Sequence, residues 1–159
     1  LDRKNYVLDY GCGVGFFSKI FDKKRYVGLE INKKFLLRAK KINKGYKFLE
    51  LEDKKIRKFK SKINAVFINN VLHHMSDDQI NSALQFLKEN SKKNSKLLII
   101  EPLLPKKIFS LQFLLKALDI GNFMREKEGY IDILAGVKIL KITQAKFGIN
   151  DHVVILGKF

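Results

Sequence analysis

Seven residues near the start of the chain, Asp9-Tyr10-Gly11-Cys12-Gly13-Val14-Gly15, constrain its fold more than any other feature. They follow a short β-prone run, residues 6–10, and precede a segment whose Phe16, Phe17, Ile20 and Phe21 fall on one face of a helix. Glycines between a strand and a helix let the backbone bend sharply and let a ligand approach the main chain closely. The helix start behind them offers N–H groups without intrahelical partners and a dipole that favours a carboxylate or phosphate. Glu30 closes a second β-prone run, residues 25–30, where a carboxylate can accept hydrogen bonds from both hydroxyls of a ribose. Together these features predict a nucleoside-bearing ligand seated on a strand–turn–helix unit.

The rest of the chain continues the alternation. Asn32 is placed to cap a helix with Phe35, Leu36, Ala39 and Ile42 on its apolar side. Residues 46–51 and 65–69 read as a third and a fourth strand. Ser76-Asp77-Asp78-Gln79 is a capping box flanked by the staple pair Met75 and Ile80, and Ile80, Ala83, Leu84 and Leu87 give the helical stripe behind it. A fifth strand, residues 97–101, is halted by Pro102. Residues 106–118 read as a helix interrupted by Gly121, and residues 138–147 and 152–156 as two strands pairing antiparallel across the turn at 148–151. The expectation is one α/β domain over residues 1–159: a Rossmann-like, doubly wound, mostly parallel seven-stranded sheet with an antiparallel last strand and helices on both faces. Such sheets bind ligands beyond the carboxyl ends of their strands. That draws attention to residues 9–15, Glu30, Glu52-Asp53, Asn69-Asn70 and Glu101.

Composition narrows the setting. At 159 residues and 46% hydrophobic content the chain can bury a real core. It has no apolar run near the roughly 20 residues that cross a bilayer, and no secretory signal pattern. The single cysteine, Cys12, fits a reducing compartment, so a cytoplasmic location is expected. Thirty-two Lys and Arg against sixteen Asp and Glu leave a net charge of +16, which invites a polyanion such as nucleic acid. The lysines are scattered in ones and twos, however, as on solvated faces, and the charge by itself names no substrate.

The glycine spacing is G-x-G-x-G led by an acid two residues earlier. The dinucleotide fingerprint G-x-G-x-x-G is not met, because Phe16 stands at its last position. In residues 7–15 the sequence resembles the first motif of the class I S-adenosylmethionine-dependent methyltransferases. Phe67-Ile68-Asn69-Asn70-Val71-Leu72-His73-His74 looks like that family's fourth strand and turn, Leu98-Ile99-Ile100-Glu101-Pro102 like its fifth strand, and the closing hairpin like its reversed last strand. The resemblance implies S-adenosylmethionine as cofactor and S-adenosylhomocysteine as product. It would place Gly11, Cys12, Gly13 and Gly15 under the methionine part, with Asp9 supporting the amino end. Glu30 would hold the ribose, Ile31 would lie beside the adenine, and Asn69 would offer a backbone contact. The acid that meets the adenine amino group would be Glu52 or Asp53, with Glu52 preferred. The family also carries a cap segment ahead of its first strand, and the sequence starting at Leu1 is expected to lack it.

The acceptor side is thinner. His73 and His74 follow the fourth strand, where a base could reach a hydroxyl or protonated amine, and at most one of two adjacent residues on a helical turn points inward. Structural roles compete with catalysis for both. The two histidines and remote His152 lack metal-ligand spacing, so no metal is expected. Ile108, Leu111, Leu114, Leu115 and Leu118 form an apolar face, either core packing or a wall for a lipid or aromatic substrate. Residues 118–125 resemble a segment lining the substrate cleft in some small methyltransferases, and Arg125 is either a partner for a substrate carboxylate or phosphate or one more solvated cation. The expected activity is methyl transfer to a small-molecule or lipid acceptor. The alternatives are an RNA methyltransferase and a non-catalytic cofactor-binding domain. Asn69-Asn70-Val71-Leu72 departs from the Asn/Asp-Pro-Pro-aromatic signature of base-amine methylation, which argues against the first of these.

Overall fold

The computed structural model describes residues 6–60, 62–105, 123–148 and 150–159. Seven strands form one sheet: β1 (Tyr6–Tyr10), β2 (Tyr26–Glu30), β3 (Lys47–Glu50), β4 (Ile63–Asn69), β5 (Lys96–Pro102), β6 (Lys138–Phe147) and β7 (Asn150–Lys158). Their spatial order is β3-β2-β1-β4-β5-β7-β6. The first five strands are parallel, and β7 runs antiparallel to both β5 and β6. This is the doubly wound, seven-stranded sheet that the alternation of elements implies. All five residues of β2 are buried, as a strand covered on both faces requires.

The helices among the described residues are α1 (Lys33–Ile42), α2 (Asp77–Glu89) and α3 (Lys127–Ile133). The main core gathers Leu8, Leu29, Val66, Ile68, Leu97 and Ile99 from one sheet face against Ile80, Leu84 and Leu87 of α2 and Tyr130 of α3. On the other face Leu36 and Ala39 of α1 pack on Tyr26 and Phe48. Asn32 caps α1 by accepting from the N–H groups of Lys34 and Phe35. The capping box of α2 is formed: Ser76 N–H donates to Gln79 Oε1 at 2.8 Å, and Gln79 N–H donates to Ser76 Oγ at 3.4 Å.

Three expectations differ from the structure. Residues 16–21 do not form an α-helix but a turn leading into one 3₁₀ turn, Ser18–Ile20. Phe17 and Phe21 pack edge-on against Phe67, whereas Phe16 is 79% exposed. Two aromatic anchors in six residues do not overcome the cost of nucleating a helix, and Asp22 starts a separate turn by accepting from Lys24 N–H. In α1 only Leu36 and Ala39 are buried, while Phe35 and Ile42 stay exposed. Helix α3 was not anticipated. The helix expected at 106–118, with the apolar face Ile108, Leu111, Leu114, Leu115 and Leu118, lies outside the described residues. Strand ends otherwise shift by one or two residues, and β4 begins two residues earlier than its sequence implies.

Candidate functional site

Strand order reverses at β1, which pairs with β2 on one side and β4 on the other. The glycine turn leaves β1 at this switch point, where open α/β sheets place their ligands. Gly11 has φ +70°, and a Cβ there would lie 2.5 Å from Val71 Cγ2, so no larger residue fits. Gly13 has φ +54°, and a Cβ there would meet nothing within 4 Å because the position faces open space. The turn is fastened by Cys12 N–H donating to Leu29 O at 2.9 Å and by Asn43 Nδ2 donating to Val14 O at 2.9 Å.

Above the turn opens a cleft of about 420 Å³. It is lined by Gly11, Gly13, Glu30 and Ile31 from the ends of β1 and β2 and by Val71, His74 and Met75 from the turn after β4. Glu30 Oε2 accepts from Gly13 N–H at 2.7 Å and its Oε1 accepts from Asn32 N–H at 2.8 Å. A carboxylate offers about four acceptor sites, so each oxygen keeps capacity for a hydroxyl from the cleft. Ile31 is 67% exposed and gives the same end an apolar surface.

Asp9 lies beneath the turn, buried, with the Tyr26 hydroxyl donating to it at 2.6 Å. Burial pushes its carboxyl up to about 7; the nearby Glu30 charge adds to the rise and the Tyr26 hydrogen bond opposes it. Burial, with Asp9 and Glu30 nearby, also pushes the Cys12 thiol well up, which suits packing better than nucleophilic work. Gly15 is buried at the back of the turn, where a Cβ would run into Phe48 at 2.7 Å.

The two histidines part company. His73 is buried, and its Nδ1 lies 2.8 Å from Glu101 Oε2. His74 is exposed and lines the cleft, its ring centroid 3.9 Å from that of His73. Asn69 ends β4 half-buried, and it is the next residue, Asn70, with φ +56°, that lines the cleft. Glu52 and Asp53 are not brought to the cleft. Strand β3 ends at Glu50, the chain turns so that Leu51 reaches the cleft, and the two acids line a separate hollow of about 480 Å³ beside Lys54 and Arg57. Arg125 also stands apart from the cleft lining and pairs with Asp77. Among the described residues no group of three or more His, Cys, Asp or Glu side chains is placed to hold a metal ion.

Two contributors escaped the sequence reading: Tyr26 bonds Asp9, and Asn43 fastens the glycine turn. Glu101, singled out in the sequence as an acid at the carboxyl end of a strand, holds the turn after β4.

Residues 1–146 match the model of a family described as a methyltransferase domain. No curated protein matches the sequence. Among solved structures, the magnesium protoporphyrin IX methyltransferase of Synechocystis PCC 6803, crystallised with S-adenosylmethionine, is similar at 16% identity and a TM-score of 0.66, covering 99% of this chain and 71% of that one. An S-adenosylmethionine-dependent methyltransferase from Mesorhizobium loti matches at 12% identity and a TM-score of 0.72, covering 100% and 94%. A mitomycin 7-O-methyltransferase matches at 19% identity and a TM-score of 0.74, covering 100% of this chain and 51% of that one. The family match spans most of the chain and agrees with the sheet order and the acid-led glycine turn, so the chain belongs to the class I S-adenosylmethionine-dependent methyltransferases.

Proposed function

We propose that this methyltransferase acts on a small-molecule or lipid acceptor, with the cofactor held in the cleft above residues 11–15 and the acceptor approaching from the His74 side. The observation carrying this reading is the cleft itself, which brings together a glycine turn, an acid with spare acceptor capacity and a histidine. The site fits the cofactor: Gly13 leaves room, Glu30 can take two ribose hydroxyls, and Ile31 offers an apolar face for adenine. Asp9 supports the turn from below, Cys12 and Gly15 shape it, and Asn69 hands the chain to Asn70 at the cleft edge. When bound, S-adenosylmethionine supplies an electrophilic sulfonium methyl. The protein's part is then to align a nucleophile, exclude water and, for a hydroxyl or protonated amine, accept a proton. His74 is the residue for that last role, and His73, turned into the protein, is not. Leu51 lines the cleft and Glu52 does not, so Glu52 is not proposed as the acid that meets the adenine.

Two structural relatives are by name methyltransferases of mitomycin and of magnesium protoporphyrin IX, both small molecules, which supports the acceptor class. The net charge of +16 favours RNA as a second reading. Incubation with methyl-labelled cofactor and separate pools of small metabolites, lipids and RNA decides between them. Label in the metabolite or lipid pool, lost in His74→Ala, is expected. Label confined to RNA would reverse the assignment. Cofactor binding without label in any pool would make this a non-catalytic binding domain. No described helix is long and apolar enough to cross a membrane.

A further inference from the structure

The turn joining β4 to α2, residues 71–75, forms the acceptor-side wall of the cleft and is gripped from two distant parts of the chain. From inside, the fully buried carboxylate of Glu101, at the end of β5, collects its N–H groups. Oε1 accepts from Val71 at 2.8 Å and Leu72 at 2.9 Å, while Oε2 takes His73 N–H at 3.3 Å and lies 2.8 Å from His73 Nδ1. From outside, the guanidinium of Arg125 collects its carbonyls. Nη1 donates to Leu72 O at 3.3 Å and Nη2 donates to Met75 O at 3.0 Å. Arg125 is itself fixed by Asp77 and by Phe123 O, and Phe123 N–H donates to His73 O at 3.0 Å. The chain enters the turn through Asn70 in the left-handed region.

Here an anion serves the donors and a cation serves the acceptors, and charge-assisted hydrogen bonds are the stronger kind. What this fixes is His74, whose ring lies 3.9 Å from that of the buried His73, tilted by 42°, and lines the cleft. We propose that Glu101 and Arg125 are paired positioning residues that set the placement of His74 for the acceptor, and that Arg125 serves the turn instead of binding an anionic substrate. The proposal rests on the methyltransferase reading only for the role of His74, not for the clamp.

The test uses Glu101→Gln, Arg125→Lys and Arg125→Met in the full chain. Only three histidines are present, so the ring signals of His74 can be assigned by comparison with His74→Asn. In Glu101→Gln and Arg125→Met the His74 ring signals should lose the shift imposed by His73 and broaden, with Arg125→Lys closer to wild type. S-adenosylhomocysteine affinity should fall far less than kcat, because neither clamp residue bonds Glu30 or the 11–15 turn. On an accepted substrate, kcat should fall on the order of 100-fold, the cost of a small misplacement. Combining Glu101→Gln with His74→Ala should cost no more than His74→Ala alone. His74 signals that coincide with wild type in folded Glu101→Gln and Arg125→Met would overturn the proposal, as would losses that multiply in the double variant. Failure of wild type to bind S-adenosylhomocysteine would strike the cofactor placement, and the His74 spectra would still decide the clamp.

Discussion

Glu30 does two jobs with one carboxylate. It ties Gly13 and Asn32 through backbone N–H groups, and it presents its remaining lone pairs to the cleft. Glu30→Ala should therefore weaken S-adenosylhomocysteine binding by about 1–3 kcal/mol, the cost of unpaired hydroxyls, read by calorimetric titration. An unchanged affinity would remove Glu30 from the ribose. Asp9 makes a prediction of a different kind. Its carboxyl sits near 7 in the folded protein, against an unfolded value of about 4. Between those values the folded chain keeps a proton that the unfolded chain has released, so the stability contributed by this group falls as pH rises from about 4 to about 7. Asp9→Asn keeps an acceptor for Tyr26 and removes the ionisation. It should match wild type in denaturant unfolding at pH 4 and exceed it by roughly 2–4 kcal/mol at pH 8; equal stability at both values would show that Asp9 titrates normally. Glu30 and the glycines could be read in the sequence because their spacing is local. Tyr26 on Asp9 and Asn43 on Val14 could not, since those contacts exist only once strands pair and helices pack.

At the scale of elements, the glycine turn and helix α2 show where local rules suffice. Gly13→Val puts its side chain into open space but at φ +54°, where a β-branched residue is strained, so it should cost about 1–3 kcal/mol of stability and block cofactor binding at that same space. Normal affinity would mean that the cofactor does not lie over the turn. In α2 the capping box and the buried stripe are both as the sequence implies, because each depends on residues three or four apart. Leu87 is fully buried in the main core, and Leu87→Ala should cost about 2–5 kcal/mol in chemical denaturation. A loss under 1 kcal/mol would place α2 outside the cooperative core. The segment at 16–21 shows the opposite case. Its aromatic spacing suits a helix, yet the pattern records packing of Phe17 and Phe21 on Phe67 and says nothing of whether the backbone between them closes α-helical bonds. The frame after β3 was equally illegible, since one residue of turn decides whether Leu51 or Glu52 reaches the cleft.

Over the whole molecule, the architecture follows from the order of elements. Parallel strands need crossovers, and the hairpin of β6 and β7 supplies the antiparallel strand beside β5. That order puts the ends of β1, β2 and β4 around one cleft, uniting Gly11, Gly13, Glu30 and His74 from three separate stretches of sequence. The same order brings Glu101 and Arg125 onto one turn from opposite sides. The central claim is that this cleft takes S-adenosylmethionine and not a dinucleotide. Titration of the chain with S-adenosylhomocysteine, with NAD in a parallel experiment, tests it most directly. Saturable binding of S-adenosylhomocysteine and none of NAD is expected, whereas binding of NAD without S-adenosylhomocysteine would overturn the cofactor assignment.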